Sequence, residues 1–191
     1  NGAGKSTTMR MVMNILVPDE GRITLFGGEA ASRDLSGRIG YLPEERGLYP
    51  RMVLEEQLVF MAAIKGMGRK EAEARLGPWL ERLGLTDWRK KKTNELSKGM
   101  QQKAQFIATV LHEPDVLFMD EPMSGLDPVG MDVMREVMLD LRRKGTTIGY
   151  QGPWGTTYAS NLRLVIGQQT AAQWIAHARK ERLPPMPWFN L

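Results

Sequence analysis

Residues 116–122 read VLFMDEP. Four successive apolar residues, Val116 to Met119, leave no position for solvent, which fits a parallel strand buried on both faces. A sheet covered on both faces needs helices between its strands, so the stretch predicts an α/β fold. The run stops at two carboxylates, Asp120 and Glu121, and Pro122 cannot donate to a ladder. Open α/β sheets bind ligands beyond the C-terminal ends of their strands, so both carboxylates stand where a substrate would lie. Alone, the same residues also describe a strand that ends in a solvated acidic turn.

The first residues, NGAGKSTT, supply a partner for those carboxylates. The phosphate-binding pattern is Gly, four residues, then Gly-Lys-Ser/Thr. Gly4, Lys5 and Ser6 fit its end, and Asn1, Gly2 and Ala3 fit the spacer. The leading Gly and its strand would lie before Asn1, so the expectation is a phosphate loop cut on its N-terminal side. Gly2 and Gly4 let backbone N–H groups close on phosphate oxygens. Lys5 supplies positive charge to the outer phosphates, and the Ser6 hydroxyl can ligate Mg²⁺. Met9, Val12, Met13 and Leu16 recur at helical spacing, which places a helix N-terminus at the phosphates. With a phosphate loop upstream, Asp120 is expected to hold Mg²⁺, and Glu121 to orient or deprotonate the water that attacks the γ-phosphate.

A third stretch is ELSKGMQQK, Glu95–Lys103. Ser97 is a good helix N-cap, and Ala104, Ile107, Ala108 and Leu111 form an apolar stripe behind it. In isolation this is an ordinary capped helix. In the order NGAGKST, LSKGMQQ, LFMDEP, SGLD, it resembles the nucleotide-binding domain of an ABC ATPase. With GRIGYLPEERGLYP, it is similar to the exporter branch that includes sodium- and drug-efflux ATPases. The resemblance covers residues 1–148; Lys98 and Met100 depart from the LSGGQ consensus. It implies a P-loop NTPase of mostly parallel sheet with flanking helices and a helical subdomain over about residues 51–112, as a partial domain.

The resemblance further implies ATP and Mg²⁺ as ligands. Asn1, Gly2, Ala3, Gly4, Lys5, Ser6 and Thr7 would bind nucleotide; Ser6, Asp120 and Glu44 would hold the metal; Glu121 would be catalytic. Ser97 and Gly99 would meet the γ-phosphate held by a second subunit in a head-to-tail dimer, homo- or heterodimeric, and Asp127 would lie in the loop that communicates across it. Glu44 stands where most relatives carry Gln. The implied partner is a transmembrane permease at the inner face of the cell membrane, and nucleic acid is not expected.

Between Pro50 and Asn94 the pattern is helical. Leu54, Leu58 and Met61 share one face and Leu76, Trp79, Leu80 and Leu83 another, with Gly77-Pro78 starting or kinking the second helix. Arg89–Lys92, the densest basic run, reads as a solvated loop, since no basic stripe or flanking aromatic supports nucleic-acid binding. Met134, Val137, Met138 and Leu141 predict a further helix closed by Arg142, Arg143, Lys144 and Gly145.

A strand should follow. In the resembled family it ends in Ser-Thr-His, and that His contacts the γ-phosphate. Here Gly149, Gly152 and Pro153 are expected to break it, and the only histidines are His112 and His177. His112 reads as structural. From Gly149 to Leu191 the only acid is Glu181, so residues 149–191 read as an anomalous tail, whether frameshifted, misjoined, inserted or divergent. In the divergent case residues 170–182 form a short helix.

Composition fits this outline, with 42% hydrophobic and 25% charged residues, as in globular domains. There are no cysteines, so neither disulfides nor thiolate metal sites hold the fold together, which suits a reducing cytoplasm. No run approaches the roughly 20 apolar residues of a membrane span. The expected activity is ATP hydrolysis that powers efflux through a separate permease. The alternatives are a hydrolysis-deficient fragment and a soluble ABC ATPase outside transport.

Overall fold

The computed structural model describes residues 5–17, 19–20, 23–26, 28–29, 37–45, 47–152 and 155–158. Its centre is a four-stranded sheet in the order β3-β4-β5-β6, formed by β3 (Ile39–Leu42), β4 (Val116–Asp120), β5 (Thr147–Gly152) and β6 (Gly155–Tyr158). The first three strands are parallel, with Leu42 opposite Met119 and Asp120 opposite Gln151, and β6 returns antiparallel to β5. A separate two-stranded ribbon joins β1 (Thr24–Leu25) to β2 (Gly28–Glu29). The fold is α/β, as the sequence predicts, and β4, the middle one of the three parallel strands, is buried along both faces except at Phe118.

Parallel neighbours need long crossovers, and helices supply both. From β3 to β4 the chain runs through α2 (Leu54–Ile64), α3 (Arg69–Arg82) and α4 (Lys98–Val110); α1 (Lys5–Val12) precedes the sheet, and α5 (Pro128–Arg143) joins β4 to β5. The predicted apolar faces form the core. Leu54, Leu58, Leu76, Leu80, Leu83, Ala104, Ile107 and Leu111 are buried in one cluster with Leu117, Met119, Met134, Val137 and Leu141. Trp79 of α3 meets Phe106 of α4 edge to face, 6.3 Å between ring centres.

Three local readings are corrected. The stripe after the phosphate loop is shorter than its periodicity: α1 stops at Val12, and Leu16 is exposed. Gly77-Pro78 does not start α3, which begins at Arg69 and carries Pro78 in its interior on the exposed face. The burial of Ala72, Leu76 and Leu80 on the opposite face outweighs the lost backbone bond. Gly149 does not end the strand: β5 runs on to Gly152, and Gly149 lies opposite Phe118 of β4 and Tyr158 of β6. Ladders on both sides override the low strand propensity of glycine. Residue 153 and residues 159–191, with the proposed helix 170–182 and His177, lie outside the described residues.

The basic run at Arg89–Lys92 is not simply solvated. Arg89 and Lys90 both bond Glu55 in the first turn of α2, and hydrogen bonding to Arg89 holds the Glu55 carboxyl below its ordinary pKa. The outer edge of β3 is also covered by side chains: Lys65 Nζ donates to the Ile39 carbonyl at 3.3 Å, His112 Nε2 lies 3.3 Å from the same oxygen, and Thr109 Oγ1 donates to Tyr41 at 3.5 Å. Such cover keeps an edge strand from pairing with another chain.

Candidate functional site

The parallel register aligns the C-terminal ends of β3, β4 and β5 at one edge of the sheet. Asp120, the last residue of β4, is 3% exposed there, and Glu121 begins the turn that follows. The Glu121 backbone has φ +49°, a left-handed conformation that costs a non-glycine residue about 1–2 kcal/mol. The turn is closed by the Ser124 amide, which donates to the Glu121 carbonyl at 3.0 Å. Glu44 is exposed two residues beyond the end of β3, at the same edge. The three predicted carboxylates therefore follow adjacent strand ends.

Tyr41, within the GRIGYLPEE stretch, joins this group, although the sequence reading gave it no role. Burial pushes its hydroxyl pKa up, the Asp120 carboxylate adds to the rise, and a hydrogen bond with Arg10 of α1 pulls it back. Arg10 thus brings the helix after the GKST stretch up to the strand that flanks β4. Lys5, Ser6 and Thr7 form the first turn of α1; their side chains, and Asn1, Gly2, Ala3 and Gly4, lie outside the described residues.

Ser97 and Gly99 open α4. Ser97 is its N-cap, accepting from the Met100 amide at 3.3 Å, as predicted. Gly99 is pressed against the SGLD stretch: a Cβ there would lie 2.7 Å from the Gly125 carbonyl oxygen. Asp127 has a local task the sequence reading missed. It caps α5, accepting from the Gly130 amide at 3.2 Å, and a Cβ on Gly130 would lie 2.6 Å from its Oδ1. The signal was legible as Asp followed by Pro at the first helical position.

Two glutamines also escaped the sequence reading. Gln102 Nε2 donates to the Pro122 carbonyl at 3.2 Å, and Gln105 Nε2 to the Glu45 carbonyl at 3.1 Å. One helix thus reaches both the Asp120-Glu121 turn and the Glu44-Glu45 loop. His112 is structural: it is buried, and its pKa is lowered to about 4, chiefly by burial and then by the Lys65 charge.

The family model described as "ABC transporter" matches residues 1–124. The chain belongs to the ABC transporter ATP-binding family. Relatives agree with that assignment. The chain is 51% identical over 148 residues to the uncharacterized ABC transporter ATP-binding protein YhaQ of Bacillus subtilis (strain 168), covering 78% of this chain and 49% of YhaQ. It is 36% identical over 153 residues to the linearmycin resistance ATP-binding protein LnrL of the same organism, covering 78% of this chain and 49% of LnrL. A solved structure described as the ATP-binding subunit of an ABC transporter superposes with a TM-score of 0.70 at 27% identity, covering 92% of this chain and 84% of that one. The chain spans about half the length of the curated relatives it matches. ABC ATP-binding domains are P-loop ATP hydrolases, and the parallel sheet with flanking helices described above is that fold.

Proposed function

We propose that this chain binds and hydrolyses ATP as the ATP-binding subunit of an ABC exporter, driving efflux through a separate transmembrane partner. The observation that carries the reading is the buried Asp120 at the end of β4, followed by Glu121 in a strained turn, at the sheet edge shared with Glu44. Asn1 to Thr7 bind the phosphates, and Glu121 orients and deprotonates the attacking water. Asp120, Ser6 and Glu44 hold Mg²⁺. Carboxylate and hydroxyl oxygens are the donors Mg²⁺ takes, and it binds through one or two carboxylates plus phosphates and water. When bound, Mg²⁺ neutralises charge on the β- and γ-phosphates.

In this reading Ser97 and Gly99 meet the γ-phosphate bound by a second copy or a paralogue, and Asp127 stands where the two domains communicate. In this reading the ATP-binding domain covers residues 1–148, with a helical subdomain over about 51–112; because β5 and β6 carry its sheet on to Tyr158, the tail expected from Gly149 begins after that strand. Among the described residues no helix is long and apolar enough to cross a membrane; in this reading a permease holds the subunit at the inner membrane face. The efflux direction draws on the exporter-like motifs and on the resistance role in LnrL's name.

A hydrolysis-deficient protein is the second reading, favoured by β5: its sequence TIGYQG contains no histidine. Phosphate release with MgATP separates the two. The exporter reading expects Mg²⁺-dependent release that falls about 10²–10⁴-fold in Glu121→Gln, with ATP still bound. Binding without release, or release indifferent to Glu121→Gln, overturns it.

A further inference from the structure

We infer that Gln102 is a positioning residue for Glu121, an inference that rests on the hydrolytic reading above. Glu121 sits at φ +49° immediately after β4. Strained backbone of this kind persists only where its surroundings over-determine it. The next residue, Pro122, lies beyond the last paired position of β4, and its buried carbonyl accepts from the Gln102 amide, a side chain only 3% exposed. Three residues earlier on the same helix, Gly99 presses on the Gly125 carbonyl; residues three apart share a helix face. One turn of α4 therefore grips the segment Pro122–Gly125, immediately after Glu121, at both ends. Gln102 fixes where the Glu121 carboxylate points by holding the turn that follows it. The same helix carries the Ser97 cap, so a displacement of Ser97 reaches Glu121 through Gln102.

Gln102→Met keeps side-chain volume and removes the donor; Gln102→Glu keeps the shape and, when ionised, also cannot donate. Steady-state phosphate release by the full chain is expected to show kcat lowered about 10- to 100-fold in each, as for a misplaced catalytic group, with KM for ATP nearly unchanged. In a Glu121→Gln background Gln102→Met is expected to add little further loss, because the two act as a unit. A risen KM with kcat intact, or losses that multiply in the double variant, overturns the assignment. Amide hydrogen exchange at Ser124, which bonds the Glu121 carbonyl, gives a reading independent of activity. It is expected to accelerate in the Gln102 variants and not in Gln105→Met, which releases a different loop. Unchanged Ser124 exchange overturns the grip even if the wild-type chain proves unable to hydrolyse ATP. In that case the hydrolytic reading fails separately, on the wild-type release.

Discussion

His112 shows how a single residue ties this fold to pH. Its Nε2 lies 3.3 Å from the Ile39 carbonyl, its Nδ1 is buried without a partner, and its pKa falls from 6.5 to about 4. The ring is neutral in the folded chain, whereas the unfolded chain binds a proton on it at a higher pH. Its contribution is therefore fully present above about pH 6.5 and is lost as pH falls towards 4. The size is on the order of 3 kcal/mol at roughly 1.4 kcal/mol per unit. Urea midpoints are expected to drop between pH 7 and 5 in the wild type and much less in His112→Gln; equal slopes would remove His112 as the cause. The sequence places Ser97 correctly because capping is local, decided within three residues. The Gln102 and Gln105 bonds were invisible because their acceptors lie 20 and 60 residues away, and only the packed helix brings them together.

Among elements, β3 and α4 meet at close range. A Cβ on Gly40 would lie 2.6 Å from the Thr109 carbonyl oxygen and 2.9 Å from Leu117 Cδ1, whereas one on Gly47 meets nothing within 4 Å. Gly40→Ala is expected to destabilise by about 1–3 kcal/mol, the usual penalty of overpacking, and Gly47→Ala to leave the midpoint almost unchanged. Chemical denaturation of the pair checks it, and a tolerated Gly40→Ala would mean the helix can move off the strand. The helices were legible from periodicity, since apolar faces state their own burial. Their ends were not: Pro78 reads as a boundary, yet α3 continues through it because its buried face outweighs one backbone bond.

On the scale of the whole molecule, the order of four motifs disclosed the family and the parallel sheet. The path after Ile148 was misread, because glycine content was weighed without the neighbouring ladders. Gly149 is held between Phe118 and Tyr158, and that pairing is a property of the sheet. In the proposed reading the buried Asp120 and the partly buried Glu121 at the sheet's C-terminal edge are completed by the Ser97 turn of another domain, so the active unit is two domains rather than one. The decisive measurement is phosphate release per chain with MgATP as protein concentration is raised through the dimerisation range. The expected result is a specific rate that climbs with concentration and is abolished throughout by Glu121→Gln. A specific rate independent of concentration, or one that survives Glu121→Gln, would contradict it.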